Sequence, residues 1–325
     1  METNQGMKSS DKDRVYLFQE AILKLEARRE SRIFCFIEGA EEHICAPSLS
    51  KIFKCREQFK NLNKLEVLIH SGGGHANIAY QMATFFHRHC KTLNVIVPFE
   101  AKSAATLMCL AADKIYLSEF GELGPIDVQV TDHLERGAKP FSPLDEFKSL
   151  EFLREYAVET LDYFTALLLE RSGMSIKEAL HESIPCVTAM MKPMYEKIDP
   201  LKFGEHKRLL SEGEEYARRL LHLAKHPNYE EVAARLVEHY PVHDFVINFR
   251  EASEELDLPV EELDKIDFEL LQPVLSMARQ GFYGFVNQKK VSQRKVTKRK
   301  HVSTGKRANE KRLAVIQEAL AEATA

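Results

Sequence analysis

Ser103 stands at the head of an apolar, small-residue run, Ala104 to Ala112, after the short loop Phe99-Glu100-Ala101-Lys102. A serine at a helix start has its hydroxyl, the next backbone N–H and the positive end of the helix dipole close together, which suits a nucleophile. Upstream, Gly72-Gly73-Gly74 offers backbone N–H donors with no Cβ to block close approach, which suits an oxyanion. The two features together point to acyl transfer. Each also has a plainer reading: a serine in that place is an ordinary N-cap, and a triple glycine is a turn or a phosphate cradle. His70 and His75 flank the glycines and read as the end of a strand and the start of a helix. Six cysteines show no C-x-x-C pair, so buried free thiols in a reducing cytoplasm are expected, not a disulfide frame or a zinc site. No motif asks for a cofactor.

These residues need a scaffold, and the surrounding sequence supplies one. Leu65–Ile69 is a short buried strand leading into the glycines, and Ile78, Met82 and Phe85 mark one face of the helix that follows. Leu93–Val97 is the next strand, Ala104–Ala112 a helix and Ile115–Leu117 a third strand. The glycines and Ser103 therefore fall at the carboxyl ends of neighbouring strands, where open α/β sheets bind their ligands. Asp11–Glu30 reads as an amphipathic helix, Arg32–Ile37 as the first strand and Ser48–Phe59 as a second helix, the alternation of a layered α/β fold. After the Gly124-Pro125-Ile126-Asp127 turn comes a polar loop, 129–147, with His133 and Lys139 in it and Lys148 beside it. Ser149–Arg171 follows as a long helix ended by Gly173. Residues 174–240 read as four shorter helices, Glu214–Leu223 and Tyr229–Leu236 the clearest. The last helix is expected over Phe268–Phe282, with Pro273 in its first turn or breaking it.

The runs HSGGG, AKSAATLMCLAADKIYL and GELGPIDVQ, in this order, resemble the serine dehydrogenase proteinase family, relatives of signal peptide peptidase A and the Clp protease subunit. EHYPVHDFVINFREASEELDLPVEEL is similar to that family's C-terminal segment, so the likeness spans most of residues 60–262 and is dense at its two ends. Departures are Val128 for a proline, Ala104-Ala105 for a step that usually ends in glycine, and Asp257 for a glycine. The resemblance implies a Clp/crotonase-like α/β fold of repeated ββα units with a helical C-terminal region. It implies Ser103 as nucleophile, an oxyanion hole from the N–H groups of Gly74 and Ala104, and Gly72, Gly73 and Pro125 along the substrate path. Clp-type enzymes take their histidine from the region of Leu123-Gly124-Pro125, where this chain has none. Relatives of signal peptide peptidase A use a lysine, which implies Lys148 as base, with Lys139 and His133 in reserve. Asp127 fits a loop-fixing acceptor or a group that orients a base, and His243 a turn-and-cap motif or a base. The relatives' rings imply a homo-oligomer.

At 325 residues, 44% hydrophobic and 29% charged, the chain has the composition of a globular protein with a sizeable core. No apolar run approaches the ~20 residues of a membrane helix, and the polar start METNQGMKSSDKDR is no secretory signal, so no membrane span and a cytoplasmic site are expected. Residues 287–325 carry a formal +8 against a total of −4, leaving the preceding body about −12. A solvated tail, a polyanion contact or self-docking would all account for that split. The expected organisation is a flexible start (1–13), a Clp/crotonase-like peptidase domain (14–198), a helical region (199–286) and the basic tail (287–325). The function expected is a serine peptidase acting on peptide or protein. A crotonase-type acyl-CoA enzyme and a catalytically inactive scaffold binding peptide or nucleic acid are the alternatives.

Overall fold

A computed structural model describes residues 9–130, 142–278 and 280–287. The tail beyond Asn287, His133 and Lys139 lie outside the described residues. Helix α1 (Ser9–Arg29) leads into β1 (Arg32–Ile37), α2 (Ala46–Cys55) and a 3₁₀ turn (Arg56–Phe59). Then follow β2 (Leu62–His70), α3 (Ala76–Arg88), β3 (Cys90–Val97), β4 (Glu100–Ala101), α4 (Ala104–Cys109), β5 (Lys114–Leu117) and β6 (Glu122–Leu123). The rest is mostly helical: α5 (Pro143–Ser172), α6 (Ile176–Tyr195), α7 (Pro200–Leu223), α8 (Tyr229–Glu238), a π-helical turn (Glu251–Glu255), β7 (Val260–Glu262), α9 (Lys265–Met277) and β8 (Phe282–Phe285).

The main sheet has the strand order β7-β5-β3-β2-β1-β8, parallel throughout except where β8 runs antiparallel to β1. Its strands are apolar on both sides because both faces are covered. Phe34, Phe36, Val67, Ile69, Val95 and Val97 pack toward α2, α3, α4, α7 and α8. The alternate residues Ile33, Cys35, Ile37, Leu68 and Ile96 pack under α1 and α9. Outside the main sheet β4 pairs with β6, and single bridges join Ile44 to Gly74 and Ser71 to Ala101. These short pairings lie beyond the ends of β1, β2 and β3 and hold the turns that matter below.

The helical C-terminal half differs from expectation in four places, the first being that α5 starts at Pro143, inside the expected 129–147 loop. Residues 174–240 form three helices, not four, because α7 is continuous: Asp199 caps it through Leu201 and Lys202 N–H, and His206, Leu210, Gly213, Ala217 and Leu221 make one buried stripe. Glu214–Leu223 is its second half. α9 stops at Met277 with Pro273 inside it, and Phe282 opens β8 instead. Lastly, the region 199–286 supplies both edges of the main sheet, β7 against β5 and β8 against β1. Among the described residues no helix is long and apolar enough to cross a membrane.

Candidate active site

Ser103 sits between β4 and α4 with φ 50° and ψ −119°, a backbone that L residues other than glycine seldom adopt. Holding it costs on the order of 1–3 kcal/mol, so the surroundings must impose it. They do: Ala105 N–H binds Lys102 C=O (2.8 Å), Leu107 N–H binds Ser103 C=O (3.1 Å), and Thr106 Oγ1 donates to Ala101 C=O (2.6 Å). The hydroxyl caps nothing in α4. The ordinary N-cap reading therefore fails, and the sharp strand-to-helix turn presents Oγ to a cleft of about 950 Å³.

The glycine turn backs onto the serine. A Cβ on Gly73 (φ 104°) would lie 2.8 Å from both Lys102 O and Ser103 Cβ, so only glycine lets the two strand ends approach. Gly74 (φ 145°) is glycine for a different reason than substrate access. A Cβ there would meet the Ile44 backbone at 2.5–2.6 Å. Ile44 N–H binds Gly73 C=O (2.8 Å) and His75 N–H binds Ile44 C=O (2.8 Å). In a planar trans peptide the Gly74 N–H points opposite to the Gly73 carbonyl, hence away from Ile44. Among the described residues neither the Gly74 nor the Ala104 N–H meets an acceptor, and both residues line the cleft with Ser103.

Opposite them stands a pair that the sequence keeps far apart. His243 Nδ1 and Asp127 Oδ1 are 2.8 Å apart, the carboxylate nearly buried, and both line the same cleft. Burial alone would push the imidazole pKa down; the hydrogen bond and charge of Asp127, with Asp244 adding to them, outweigh burial and raise it above 6.5. Nδ1 being engaged, Nε2 is the nitrogen left to take a proton. Ser103 Oγ makes no hydrogen bond among the described residues, a looseness common before substrate binds.

Lys102 brings these parts together. Its ammonium pairs with Glu122 (3.0 Å) and donates to the carbonyls of Leu123 (3.2 Å) and Phe245 (3.3 Å). The residue beside Ser103 thus grips both the strand leading to Asp127 and the segment carrying His243. A bridge between Leu123 and Ile247 and the bond from Gly124 N–H to Thr106 Oγ1 (2.9 Å) lock the same junction.

Lys148, the expected base, is elsewhere. Helix α5 begins at Pro143, so Lys148 lies more than a turn inside it, outside the cleft lining, and its ammonium donates to the Tyr240 carbonyl (3.3 Å). Gly72 lines the cleft with Gly73, whereas Pro125 does not; Ile126, Asp127 and Val128 do. His75 precedes α3 and lines the cleft, and His70 lies 3.9 Å from Glu100. Among the described residues no group of three His, Cys, Asp or Glu could hold a metal ion.

Residues 8–136 match the family model described as ClpP-like SDH-type serine proteinase. Two uncharacterized proteins of Methanocaldococcus jannaschii, MJ0137 and MJ1495, are 42% and 35% identical over 66 residues, 20% of this chain. This chain spans 23% of the length of each of those relatives. Among solved structures, a mutant of the 1510-N membrane-bound stomatin-specific protease aligns at 14% identity and a TM-score of 0.28, covering 46% of this chain and 67% of that one.

Proposed function

We propose that this chain, which contains a ClpP-like SDH-type serine proteinase domain, is a serine peptidase with Ser103 as nucleophile and His243, held by Asp127, as its base. One observation carries the reading: a strained, uncapped serine shares its cleft with a histidine bonded through Nδ1 to a nearly buried carboxylate. That arrangement supports the roles of a serine, histidine and aspartate triad. Nε2 of His243 takes the Ser103 proton as Oγ attacks the scissile carbonyl. The resulting oxyanion is received by the N–H groups of Gly74 and Ala104. The imidazolium, stabilised by Asp127, then gives its proton to the leaving amine, and water releases the acyl group by the reverse sequence. The short pairings at Ile44, Ser71 and β4–β6 also support the Clp/crotonase-like ββα reading of the fold.

A fluorophosphonate tests the assignment. Label is expected on the peptide containing Ser103, is lost in Ser103→Ala and is slowed strongly in His243→Ala. Lys148→Met is expected to label at the wild-type rate. Label on another serine, or loss of labelling in Lys148→Met, would sink the proposed roles.

A further inference from the structure

Beneath the glycine turn lies a buried acid that the proposed reaction does not use. Glu38 follows β1 and Ser71 follows β2; both are almost completely buried. Ser71 Oγ donates to Glu38 Oε2, and the same Oγ accepts the Gly73 N–H at 3.0 Å. Ser71 also bonds through its backbone to the strand entering Ser103, N–H to Glu100 C=O (3.1 Å) and C=O from Lys102 N–H (3.0 Å). From β8, Tyr283 OH donates to Glu38 Oε1 (3.2 Å).

A serine hydroxyl has one hydrogen and a free rotor, and an ionised carboxylate only accepts. With Glu38 ionised, the Ser71 hydrogen must face Glu38, which leaves a lone pair for the Gly73 N–H. Fixing the Gly73 peptide at both ends, by Ser71 at its N–H and Ile44 at its carbonyl, fixes the direction of the Gly74 N–H. Protonated Glu38 can itself donate to Ser71 Oγ, so the Ser71 hydrogen is no longer held on Glu38, the rotor is released and the acceptor lone pair is no longer fixed on the Gly73 N–H.

We propose that Glu38 is a positioning residue for the oxyanion turn: as a carboxylate it locks Ser71, and through Ser71 the Gly73–Gly74 peptides, and turnover falls when it takes up a proton. This rests on the serine peptidase reading above. The local balance of charges suits a device that titrates near neutrality. Burial lifts Glu38 to about 7 despite the opposing bonds from Ser71 and Tyr283, with Glu42 adding to the rise and Lys51 of α2 opposing it. A carboxyl raised in this way makes its stabilising contribution at low pH, in the protonated form, and loses it as pH rises through about 7. The active form is thus the less stable one.

The test uses a signal that does not depend on catalysis. Gly73 and Gly74 are the only glycines in the sequence preceded by a glycine. Protein labelled with ¹³C-carbonyl, ¹⁵N-glycine therefore gives carbonyl-edited amide signals from these two alone. Both signals are expected to move with a midpoint near 7 in the wild type; Glu38→Gln should remove that step and leave only the smaller response to His243 in the same cleft, while Ser71→Ala stops the Gly73 shift. In the pH–rate profile deprotonation of His243 together with that of Glu38 should make the acid limb steeper than a log slope of about one, returning to about one in Glu38→Gln. At pH 8 Glu38→Gln should lose roughly ten- to a hundredfold in kcat with KM little changed, less than the outright loss of an oxyanion donor. Should Glu38→Gln fail to fold, Tyr283→Phe decides: it removes a bond to the carboxylate, so the Gly73 midpoint must move to higher pH. Static glycine signals in wild-type protein that does phosphonylate Ser103 overturn this proposal alone, as does an identical titration in Glu38→Gln or an unmoved midpoint in Tyr283→Phe. Wild-type protein in which Ser103 takes no label overturns the peptidase reading instead.

Discussion

A histidine bonded through Nδ1 to a buried carboxylate keeps its proton to higher pH than a free one, and that sets the sign of the pH dependence at His243. As the proposed base, His243 must be neutral to act, so kcat/KM should rise with pH through a value above 6.5. The stability from the ion pair runs the other way: present below the ordinary histidine value near 6.5, it is lost as pH rises through the raised one. Asp127→Asn removes the anchor and admits the wrong tautomer, so kcat should fall on the order of 10⁴-fold. The acid limb of the remaining activity should move to lower pH; a limb that stays in place would show that Asp127 does not set the imidazole. The serine turn proposed as nucleophile was legible in the sequence because the neighbours of Ser103 on both sides form a continuous motif. The proposed base was not. Asp127 and His243 are 116 positions apart, and nothing local in YPVHDF distinguishes a base from a turn. Lys148 followed from analogy with the sequence order of relatives, but six residues into α5 its side chain is directed to Tyr240.

The turn after β2 tests how an element, and not one side chain, presents donors. Its three glycines are unequal. Gly72 has open space at its Cβ position and no positive φ, while Gly73 and Gly74 have both a positive φ and backbone within 3 Å. Gly72→Ala should therefore keep its melting temperature within a degree or two and label normally, since a residue free of such constraints changes stability by roughly 0.5 kcal/mol or less. Gly73→Ala and Gly74→Ala must displace Ser103 or Ile44, with a strained φ in addition, and should each lose a few kcal/mol and most labelling. Equal behaviour of all three variants in thermal unfolding and labelling would contradict the turn described. At this scale the α/β half was readable because β1, β2, β3 and β5 are near-continuous apolar runs, as strands covered on both faces must be. The edges were not. β7 (VEE) is a short, polar edge strand, and β8 (FYGF) follows Gly281 so closely that it reads as the end of α9. Continuous α7 was hidden by Gly204 and Gly213, which look like breaks; Gly213 is buried, and a Cβ there would meet Ile126 O at 3.3 Å, beside Asp127.

Across the whole molecule, the two ends of the described chain are tied to the middle of the sheet through one arginine. Arg29 at the end of α1 makes a bidentate bond to Glu66 in β2 (2.8 and 2.9 Å), a further bond to Asp267 in α9 (2.8 Å), and covers the Tyr116 ring of β5 at 4.1 Å. Glu66 is fully buried and also accepts from Ser31 (2.7 Å). Burial alone would raise its carboxyl; the Arg29 bonds outweigh that and hold it below the ordinary range. Arg29→Met takes the bidentate partner from a buried carboxylate and leaves it Ser31 (2.7 Å), Asn94 (3.4 Å) and Lys64 (3.5 Å), so about 3–5 kcal/mol should be lost at pH 7. Arg29→Lys should recover little, since a point charge cannot reproduce the fork that spans two carboxylates. The pH dependence separates this from a mere packing defect. In the wild type the Glu66 contribution is present above the usual carboxylate pKa of ~4.3 and is lost as pH falls through the lowered folded value. In Arg29→Met desolvation, the largest influence on this carboxyl, is opposed by Ser31 and Lys64 alone, the folded value rises above the unfolded one, and the variant should gain stability, relative to wild type, as pH falls from 7 toward 5. Adding Glu66→Gln removes the titrating group and should flatten that difference. Urea unfolding of the three proteins at pH 5 and pH 7 reads it directly, and a deficit in Arg29→Met that is the same at both pH values would mean that the Arg29–Glu66 pair stabilises the sheet by packing and not by charge.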